Sequence, residues 1–193
     1  EGYAGDLWTP RDGGGTLYLM TAEGLRWSED AGDSWTLAGA PPEGEWSRAQ
    51  LVGSEAGAPR LWAMVSNDTE THLVRSDDAG GTWQTTLTEV VDYWSALNAS
   101  IADVDLVAWG GVEVHYTLDG GGAWGVVNLW SDYYADVENN LHADIQGLEV
   151  FTGADGEELW YIATDGGLYR SSDRLETVKN LSLSGLRISQ YYS

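Results

Sequence analysis

The sequence contains no cysteine, which excludes disulfide bonds, thiolate metal sites and a thiol nucleophile. It also has only 9 basic residues against 31 acidic ones, for a net charge of -22 at pH 7. Because binding to phosphates requires a field of the opposite sign, we expect neither nucleic acid nor an anionic membrane surface as a partner. No apolar run approaches the ~18 residues of a membrane span, so membrane insertion is not expected.

Proline and phenylalanine are also scarce, with 4 and 1 residues, whereas the chain contains 25 glycines, 11 tryptophans and 10 tyrosines. Many glycines together with many aromatic residues are typical of short strands joined by tight turns, and disorder would require few aromatic residues. A chain of 193 residues can bury roughly 70% of its unfolded surface, which is enough for one core. The composition therefore predicts a single all-β domain over residues 1–193.

A motif of eight residues, Ser/Thr-x-Asp-x-Gly-x-x-Trp, occurs three times in full and a fourth time in degenerate form. The four copies begin 41 to 54 residues apart, and each follows a short apolar segment and a turn. A period of this size is that of one four-stranded blade of a β-propeller. The motif residues are Ser28, Asp30, Gly32 and Trp35; Ser76, Asp78, Gly80 and Trp83; Thr117, Asp119, Gly121 and Trp124; and Ser171 and Asp173, followed by Leu175 and Val178 in place of glycine and tryptophan.

Each residue type in the motif has a mechanical role in a hairpin. Glycine tolerates the positive φ that a tight turn needs, and the Asp carboxylate can accept backbone N–H groups within the turn. The hydroxyl can tie down the flanking strand, and the tryptophan can close the hairpin against apolar neighbours. We therefore expect the four motif aspartates to be structural rather than catalytic or calcium-binding.

The motif resembles the Asp-box, or bacterial neuraminidase repeat, of sialidases, xyloglucanases, sortilin-type receptor domains and a photosystem II assembly factor. The last unit, with Asn140-Leu-His-Ala-Asp144, Thr164-Asp-Gly-Gly-Leu-Tyr-Arg-Ser171 and Leu186 to Tyr192, is similar to secreted bacterial propellers of the sortilin-like type. The resemblance covers nearly the whole chain and implies a β-propeller of four-stranded antiparallel blades. One fold hosts many unrelated activities, so the resemblance says little about function.

The repeats divide the chain into units at about 1–40, 41–90, 91–130 and 131–182, with 183–193 as the first strand of a further blade or as a closing strand. We favour four blades of a larger propeller, because the propellers that the motif resembles usually have six or more blades and Ile188 to Tyr192 resembles the innermost strand of a fifth. An unclosed propeller presents sheet edges that invite pairing with another chain. The missing blades would then lie on a longer parent chain, on another chain or on a copy of this one. The alternative is a closed ring of four blades.

In an antiparallel blade with strands A to D, the motif joins C to D. The D–A connections and B–C turns therefore meet at the opposite end, and 130–144 is the longest of these connections. That end carries the aromatic residues Trp46, Tyr93, Trp94, Trp130, Tyr133 and Tyr134 and the acidic residues Asp92, Asp132, Asp136 and Glu138. Exposed rings beside carboxylates are suited to binding sugars or a basic patch on a protein. The alternative interpretation is that these rings pack between blades. The candidate ligand-binding residues are Trp94, Trp130, Tyr133, Tyr134, His142 and Asp144.

An enzymatic role is less well supported. The sialidase resemblance implies three arginines that hold a carboxylate, with a Tyr–Glu nucleophile and an Asp acid, but the Arg-Ile-Pro signature is missing and its nearest match is Arg187-Ile-Ser189. Arg75 and Arg170 share one repeat position, and the negative net charge would repel a sialoside. A glycoside hydrolase on neutral glycans would need two carboxylates about 5–10 Å apart, which no spacing singles out. His142 with Asp144 could form half of a metal or acid–base site.

The sequence thus predicts a secreted or cell-surface Asp-box propeller segment that acts as a non-catalytic module for protein or glycan binding or for assembly. The alternatives are part of a glycoside hydrolase propeller acting on neutral glycans, and a self-assembling structural subunit. We assign no catalytic residue and expect no cofactor, with a structural calcium at Asp77-Asp78 or Asp103-Val-Asp105 as the weaker alternative. The expected location is extracellular or at a bacterial cell surface, with the periplasm as the alternative.

Overall fold

The computed structural model describes residues 4–11, 14–56, 60–90, 95–184 and 186. The predicted strand at Ile188 to Tyr192 and the Arg187-Ile-Ser189 segment lie outside these residues, as do Asp92, Tyr93 and Trp94. The described residues form β-strands, with two short 3-10 helices at Trp130–Tyr134 and Ser182–Ser184. None of the helices in this part of the chain is long and apolar enough to cross a membrane.

The strands form four sheets of four strands each. The first sheet contains β1 (Ala4–Trp8), β2 (Leu17–Thr21), β3 (Gly24–Ser28) and β4 (Thr36–Gly39). The second contains β5 (Arg48–Gly53), β6 (Leu61–Ser66), β7 (Glu70–Ser76) and β8 (Gln84–Val90). The third contains β9 (Ala96–Ala99), β10 (Val107–Gly110), β11 (Val114–Thr117) and β12 (Gly125–Val126). The fourth contains β13 (Ile145–Thr152), β14 (Glu158–Thr164), β15 (Gly167–Ser171) and β16 (Lys179–Asn180).

Within every sheet, strands that follow one another in the chain pair antiparallel, so each sheet is a simple meander. The predicted all-β fold class is therefore confirmed. The chain divides into two compact units. Unit 1 comprises Glu1–Val91 and Ala102–Val104, and unit 2 comprises Asp92–Ile101 and Asp105–Ser193. Unit 1 holds the first two sheets and unit 2 the other two.

The core of unit 1 is built on the second sheet. Strand β6 is an uninterrupted apolar run ending in one serine, and all six of its residues are buried. Met20 and Leu25 from the first sheet pack with Leu51 and Leu61 from the second, and strand β1 lies against β5. A continuous apolar strand of this kind is typical of a sheet covered on both faces, which explains why β6 lacks the alternation of the other strands.

The core of unit 2 surrounds Trp160, Ile162 and Tyr169, which are fully buried. Strand β15 alternates between buried and half-buried residues, so Tyr169 points into this core and Arg170 points away from it. The Glu158 carboxylate, at the beginning of β14, accepts three hydrogen bonds. Its Oε2 accepts from the Ser100 hydroxyl at 2.7 Å and from the Ile101 N–H at 2.8 Å, and its Oε1 accepts from the Trp160 indole at 2.8 Å.

The four repeated motifs form the turns between the third and fourth strands of each sheet, and all four share three hydrogen bonds. In the second motif the Ser76 hydroxyl donates to Asp78 Oδ1 at 2.7 Å, and the Gly80 N–H donates to the Ser76 hydroxyl at 2.8 Å. The Thr82 N–H donates to Asp78 Oδ1 at 2.8 Å. The corresponding distances in the other three motifs lie between 2.7 and 3.0 Å.

These bonds stabilise the charged form of the aspartates. The Ser34 hydroxyl and N–H, with Ser28, lower the pKa of Asp30 to about 2, and the Thr82 N–H, with the Ser76 and Thr82 hydroxyls, lowers the pKa of Asp78 to about 2. The pKa values of Asp119 and Asp173 are also lowered. At Asp119 the Ala123 N–H is the main cause, whereas at Asp173 burial acts in the opposite direction and hydrogen bonds from Thr177 and Ser171 outweigh it. A carboxylate held by N–H and O–H donors prefers to stay ionised.

The degenerate fourth motif keeps the turn and changes what fills it. Gly32, Gly80 and Gly121 have φ angles of 93°, 90° and 93°, and Leu175 has 69° at the same position. A side chain in this region strains the backbone, yet Leu175 is 1% exposed and belongs to the core of unit 2. Val178, in place of the tryptophan, is buried in the same core. Apolar burial of these two side chains offsets the strain that glycine avoids.

Candidate functional site

The longest connection in unit 2 is the 127–144 loop, which joins β12 to β13. Its first part is the 3-10 helix Trp130–Tyr134, and the Asp132 carboxylate accepts the Leu129 N–H at 3.2 Å. The Asn140 side chain donates to the Asp132 carbonyl at 2.9 Å, and the Asn140 N–H donates to the Asp136 carbonyl at 3.0 Å. The loop is thus folded on itself by its own polar side chains.

A hydrogen bond from the Asn139 side chain to the Asp136 carboxylate, at 2.9 Å, lowers the pKa of Asp136, with further contributions from the N–H groups of Glu138 and Asn139. Asp136 therefore closes a turn within the loop in the way that the motif aspartates close theirs. The Asp136 carboxylate nevertheless remains exposed, on the same loop as the aromatic side chains.

Two asparagines fasten the loop to the sheets of unit 2. The Asn180 side chain donates to the Val137 carbonyl at 3.0 Å, and the Asn180 N–H donates to the Glu138 carbonyl at 2.8 Å. The Asn128 side chain accepts the Leu141 N–H at 2.9 Å, and Leu141 is buried. These contacts hold both halves of the loop in place.

The loop also meets the turns between the second and third strands of its unit. The Trp130 N–H donates to Glu113 Oε1 at 3.2 Å, the Asp144 N–H donates to the Val112 carbonyl at 3.0 Å, and the Asp165 N–H donates to the Asp144 carbonyl at 3.3 Å. The meander topology predicts that such turns and connections lie at the same end of a blade, and in unit 2 they are in direct contact.

Four of the predicted site residues form one chain of ring contacts, which we call the aromatic array: Trp130, Tyr133, Tyr134 and His142. Ring centroids are 6.3 Å apart for Trp130 and Tyr134, 5.5 Å for Tyr134 and Tyr133, and 4.7 Å for Tyr133 and His142. All three pairs meet edge to face, the arrangement that ring quadrupoles favour. Trp130 is 50% exposed and Tyr134 70% exposed, whereas Tyr133 and His142 are half-buried.

The inner end of the array contains an acid–histidine pair. His142 Nδ1 lies 2.6 Å from Asp165 Oδ1, and that buried oxygen has no other partner among the described residues. The His142 N–H donates to the hydroxyl of Tyr169 at 3.3 Å. Burial raises the pKa of Tyr169 to about 12, with Tyr133 and Asp165 adding to the rise and the hydrogen bond from His142 opposing it, so Tyr169 stays neutral.

The partner of His142 is therefore Asp165, whereas the sequence suggested Asp144. Asp144 has a φ of 64° and contributes its backbone to the contacts with Val112 and Asp165. Asp165 was missed because it belongs to a turn, Thr164-Asp-Gly-Gly167, and only the blade topology places that turn beside the loop. Among the described residues, no three side chains of the metal-ligating types come together as a candidate metal site.

Trp46 occupies the equivalent connection of unit 1, between β4 and β5, but its ring is committed to packing. It is half-buried against the core of unit 1, its ring centroid lies 4.7 Å from that of His72, and its indole N–H donates to the Pro42 carbonyl at 3.1 Å. Trp94, the remaining candidate, lies outside the described residues. The exposed aromatic surface that the described residues offer at such a connection is therefore the one in unit 2.

Arg75 and Arg170, which share one repeat position and which we interpret as repeat-derived surface residues, are in different surroundings. Arg75 pairs with Asp77 at 2.9 Å and lies 6.0 Å from the Trp62 ring, and Asp77 also holds Arg60 at 2.6 Å. Arg75 is thus part of an ion-pair cluster in unit 1. Arg170 lines a cleft in unit 2 instead.

Comparison with known proteins supports the fold. No protein-family model matches the sequence, and no curated protein matches it either. Among solved structures, the chain is similar to an ancestral GH74 enzyme (TM-score 0.61, 12% identity, 89% of this chain and 23% of that one) and to a chain of a nidogen/laminin complex (TM-score 0.59, 9% identity, 91% and 60%). It is also similar to YCF48 bound to D1 peptide (TM-score 0.52, 17% identity, 94% and 53%).

The structural neighbours are β-propellers, so these likenesses confirm the predicted propeller fold. At identities of 17% or less, they show the fold alone. The chain spans 60% or less of the length of each of these neighbours.

Proposed function

We propose that this chain is a non-catalytic binding module of the Asp-box propeller class whose ligand docks on Trp130 and Tyr134. The observation that carries this proposal is the exposure of two large rings on a loop that is fastened at Asn128 and Asn180. Aromatic anchors held in place before binding lose little conformational entropy when a partner arrives. Such residues are the usual energetic centre of a protein interface.

The surroundings of the rings favour a basic protein segment as the ligand. The exposed acidic side chains Asp132, Asp136 and Glu138 belong to the same loop. An arginine or lysine side chain can lie over an aromatic face and reach a neighbouring carboxylate at the same time. Propellers of this fold are also found with protein partners, since two of the neighbours come from a nidogen/laminin complex and from YCF48 bound to D1 peptide.

A glycoside hydrolase segment is the second candidate, and the observation in its favour is the His142–Asp165 pair. Against it, Tyr133 packs on the His142 ring, and Asp165 Oδ1 is buried against the same histidine. This geometry is better suited to holding Tyr133 in place than to acid–base catalysis, which needs an exposed acid and base. We further propose that the four sheets belong to a larger propeller, located outside the cell or at its surface.

The experiment is a selection of peptide ligands from a random twelve-residue library displayed on phage, followed by affinity measurement with Trp130→Ala and Tyr134→Ala. We expect the selected peptides to be rich in arginine and lysine, and each substitution to weaken binding about 30-fold or more, the range of an interface hot spot. The melting temperature should stay unchanged because both rings are largely exposed.

Phe151→Ala is the matched control, because Phe151 is 49% exposed and forms a ring pair with Tyr161 on a different element of the same unit. Its affinity should equal that of the unchanged protein. A lower melting temperature with unchanged peptide affinity in the Trp130 and Tyr134 variants would show that these rings serve packing. If neutral glycans bind in a way that depends on Trp130 and Tyr134, and no peptide binds, the ligand of this surface is a sugar and not a protein.

A further inference from the structure

A second surface of unit 2 has the opposite character to the acidic protein around it. A cleft of about 580 Å³ runs between the 127–144 loop and the β15–β16 hairpin. Its basic lining residues are Arg170 on β15 and Lys179 on β16, the only lysine in the sequence. Known ligand pockets are of comparable size, at about 300–1,000 Å³.

The two cations are direct neighbours, and neither has an ionic partner in the part of the chain that the structure describes. Arg170 and Lys179 face each other across the antiparallel ladder, where like charges destabilise a sheet. Within the described residues no carboxylate lies within ion-pairing distance of either, although acidic residues outnumber basic ones 31 to 9. Ion pairs do hold the basic residues Arg11, Arg26, Arg60 and Arg75.

The repeat shows why Arg170 is unpaired. Arg75 occupies the same position in the second motif, immediately before the serine, and pairs with Asp77 two residues later at 2.9 Å. In the fourth motif the residue at that place is Ser172, which also lines the cleft. Replacing one aspartate by serine thus leaves a guanidinium available at the cleft wall.

The rest of the lining is suited to hydroxyl groups. The side-chain amides of Asn139 and Asn140 donate to the Asp136 carboxylate and to the Asp132 carbonyl. Among the described residues, their side-chain oxygens accept no hydrogen bond and are available to a ligand. Glu176 adds a carboxylate to the wall. The cleft therefore combines two cationic donors with at least three acceptors.

We propose that this cleft binds a sugar unit that carries a carboxylate, of the uronic acid type. The planar Arg170 guanidinium can grip a carboxylate with two hydrogen bonds, Lys179 can add a third, and the amide oxygens and Glu176 can accept from ring hydroxyls. A ligand with several negative charges is disfavoured by Glu176 and by the net charge of -22. This proposal is independent of the proposed docking on Trp130 and Tyr134.

An extended acidic peptide fits the cleft less well, because the edge of β16 is already covered. The Asn180 N–H donates to the Glu138 carbonyl, and the Asn180 side chain donates to the Val137 carbonyl. A peptide that added to this edge would have to displace the 127–144 loop, which removes the usual main-chain route of strand addition.

The test compares cellobiouronic acid, a disaccharide that ends in glucuronic acid, with neutral cellobiose by titration calorimetry and NMR on the whole chain. We expect the acidic disaccharide to bind at least tenfold more tightly than cellobiose. Arg170→Gln and Lys179→Gln should each weaken it about tenfold or more, which is the scale of one charge-assisted hydrogen bond. Arg48→Gln removes an exposed arginine from unit 1 and should leave the affinity unchanged.

Ser172→Asp is the sharpest variant, because it recreates in the fourth motif the ion pair between Arg75 and Asp77. It should abolish the preference for the acidic disaccharide while the melting temperature stays equal or rises, and Ser172→Ala should retain most of the preference. Equal binding of the two disaccharides, or no binding of the acidic one up to about 10 mM, would overturn the proposal. Binding of inorganic phosphate without binding of the acidic disaccharide would also overturn it.

Discussion

Replacing Asn180 by alanine should detach the 127–144 loop without touching any aromatic residue. Asn180 is 2% exposed. Its side-chain nitrogen donates to the Val137 carbonyl at 3.0 Å and to the Tyr169 hydroxyl at 3.3 Å, and its side-chain oxygen accepts the Ser182 N–H at 2.9 Å. These bonds join the loop, the buried core and the last 3-10 helix at a single residue.

The magnitude follows from the number of bonds lost. Each net hydrogen bond contributes about 0.5–1.5 kcal/mol, so three lost bonds should lower the free energy of unfolding of unit 2 by about 2–4 kcal/mol. The loss should stay within this range because the groups that Asn180 leaves behind keep other hydrogen-bond partners. The carbonyl of Val137, an exposed residue, can bond to water, and the Tyr169 hydroxyl keeps the N–H of His142 as its partner. The free energy of unfolding is measured by urea denaturation.

Hydrogen exchange tests whether the loop itself is released. In Asn180→Ala the amides of 136–141 should exchange faster under native conditions, and binding of any ligand that requires Trp130 or Tyr134 should weaken in parallel. Asn98→Ala is the matched control in the same unit. It loses a 2.9 Å bond to the Leu148 carbonyl and a 2.9 Å bond from the Ala99 N–H, so it should lower stability and leave native-state exchange in the loop unchanged.

Two results would refute this reasoning. A loss of less than about 1 kcal/mol would mean that water replaces the bonds of Asn180 at no net change in free energy. A loss of the expected size with unchanged exchange over 136–141 would mean that the remaining contacts hold the loop: the Leu141 N–H on Asn128 and the N–H of residue 180 on the Glu138 carbonyl. The aromatic array would then owe its geometry to the near end of the loop.

Two further predictions concern the repeated turns. Gly80→Ala should lower the free energy of unfolding by about 1–3 kcal/mol more than Gly32→Ala. Both glycines have nearly the same φ, but a Cβ at Gly80 would lie 2.0 Å from the Leu25 side chain, whereas at Gly32 the nearest atom would be 3.5 Å away. Equal losses of unfolding free energy for the two variants, measured by urea denaturation, would show that backbone strain and not the contact with Leu25 determines the effect. Because the pKa of Asp30 and of Asp78 is about 2 against an ordinary 3.8, their contribution to stability is present above about pH 4 and lost as the pH falls toward 2. Asp78→Asn should therefore reduce the difference in urea midpoint between pH 5 and pH 2, and an unchanged difference would contradict the assignment.

The propeller scaffold could be predicted because the motif that forms its turns occurs four times in the sequence. The hydroxyl, carboxylate and glycine of each motif recur at fixed offsets, and a contact that depends only on neighbours within eight residues can be deduced from one copy. The fourth motif is also predictable from its neighbours, although Leu175 stands where the other copies have glycine. Its turn keeps the hydrogen bonds of Ser171 and Asp173. The sequence did not show that Leu175 would be buried in the core, since that depends on residues far along the chain.

The candidate site was only partly predictable for the same reason. The composition of the loop indicated Trp130 and Tyr134, but the partner of His142 is 23 residues away in a turn of the following sheet, and nothing local distinguishes Asp165 from the other acidic residues. Asn180, which holds the loop, follows the fourth motif and looked like an ordinary strand residue. Residues that act through long-range contacts leave no periodic signal in a single sequence.

Departures from the repeat are therefore more informative about function than the repeat itself. Every copy of the motif builds the same turn, whereas the residues on either side of the motif hydroxyl differ from copy to copy. Arg75 and Arg170 occupy the same position, yet one is neutralised by Asp77 and the other faces a cleft beside Ser172. An unpaired guanidinium opposite a lysine adds nothing to the stability of the sheet. Binding, rather than folding, is the property that this difference serves, and exchanging Ser172 for aspartate separates the two.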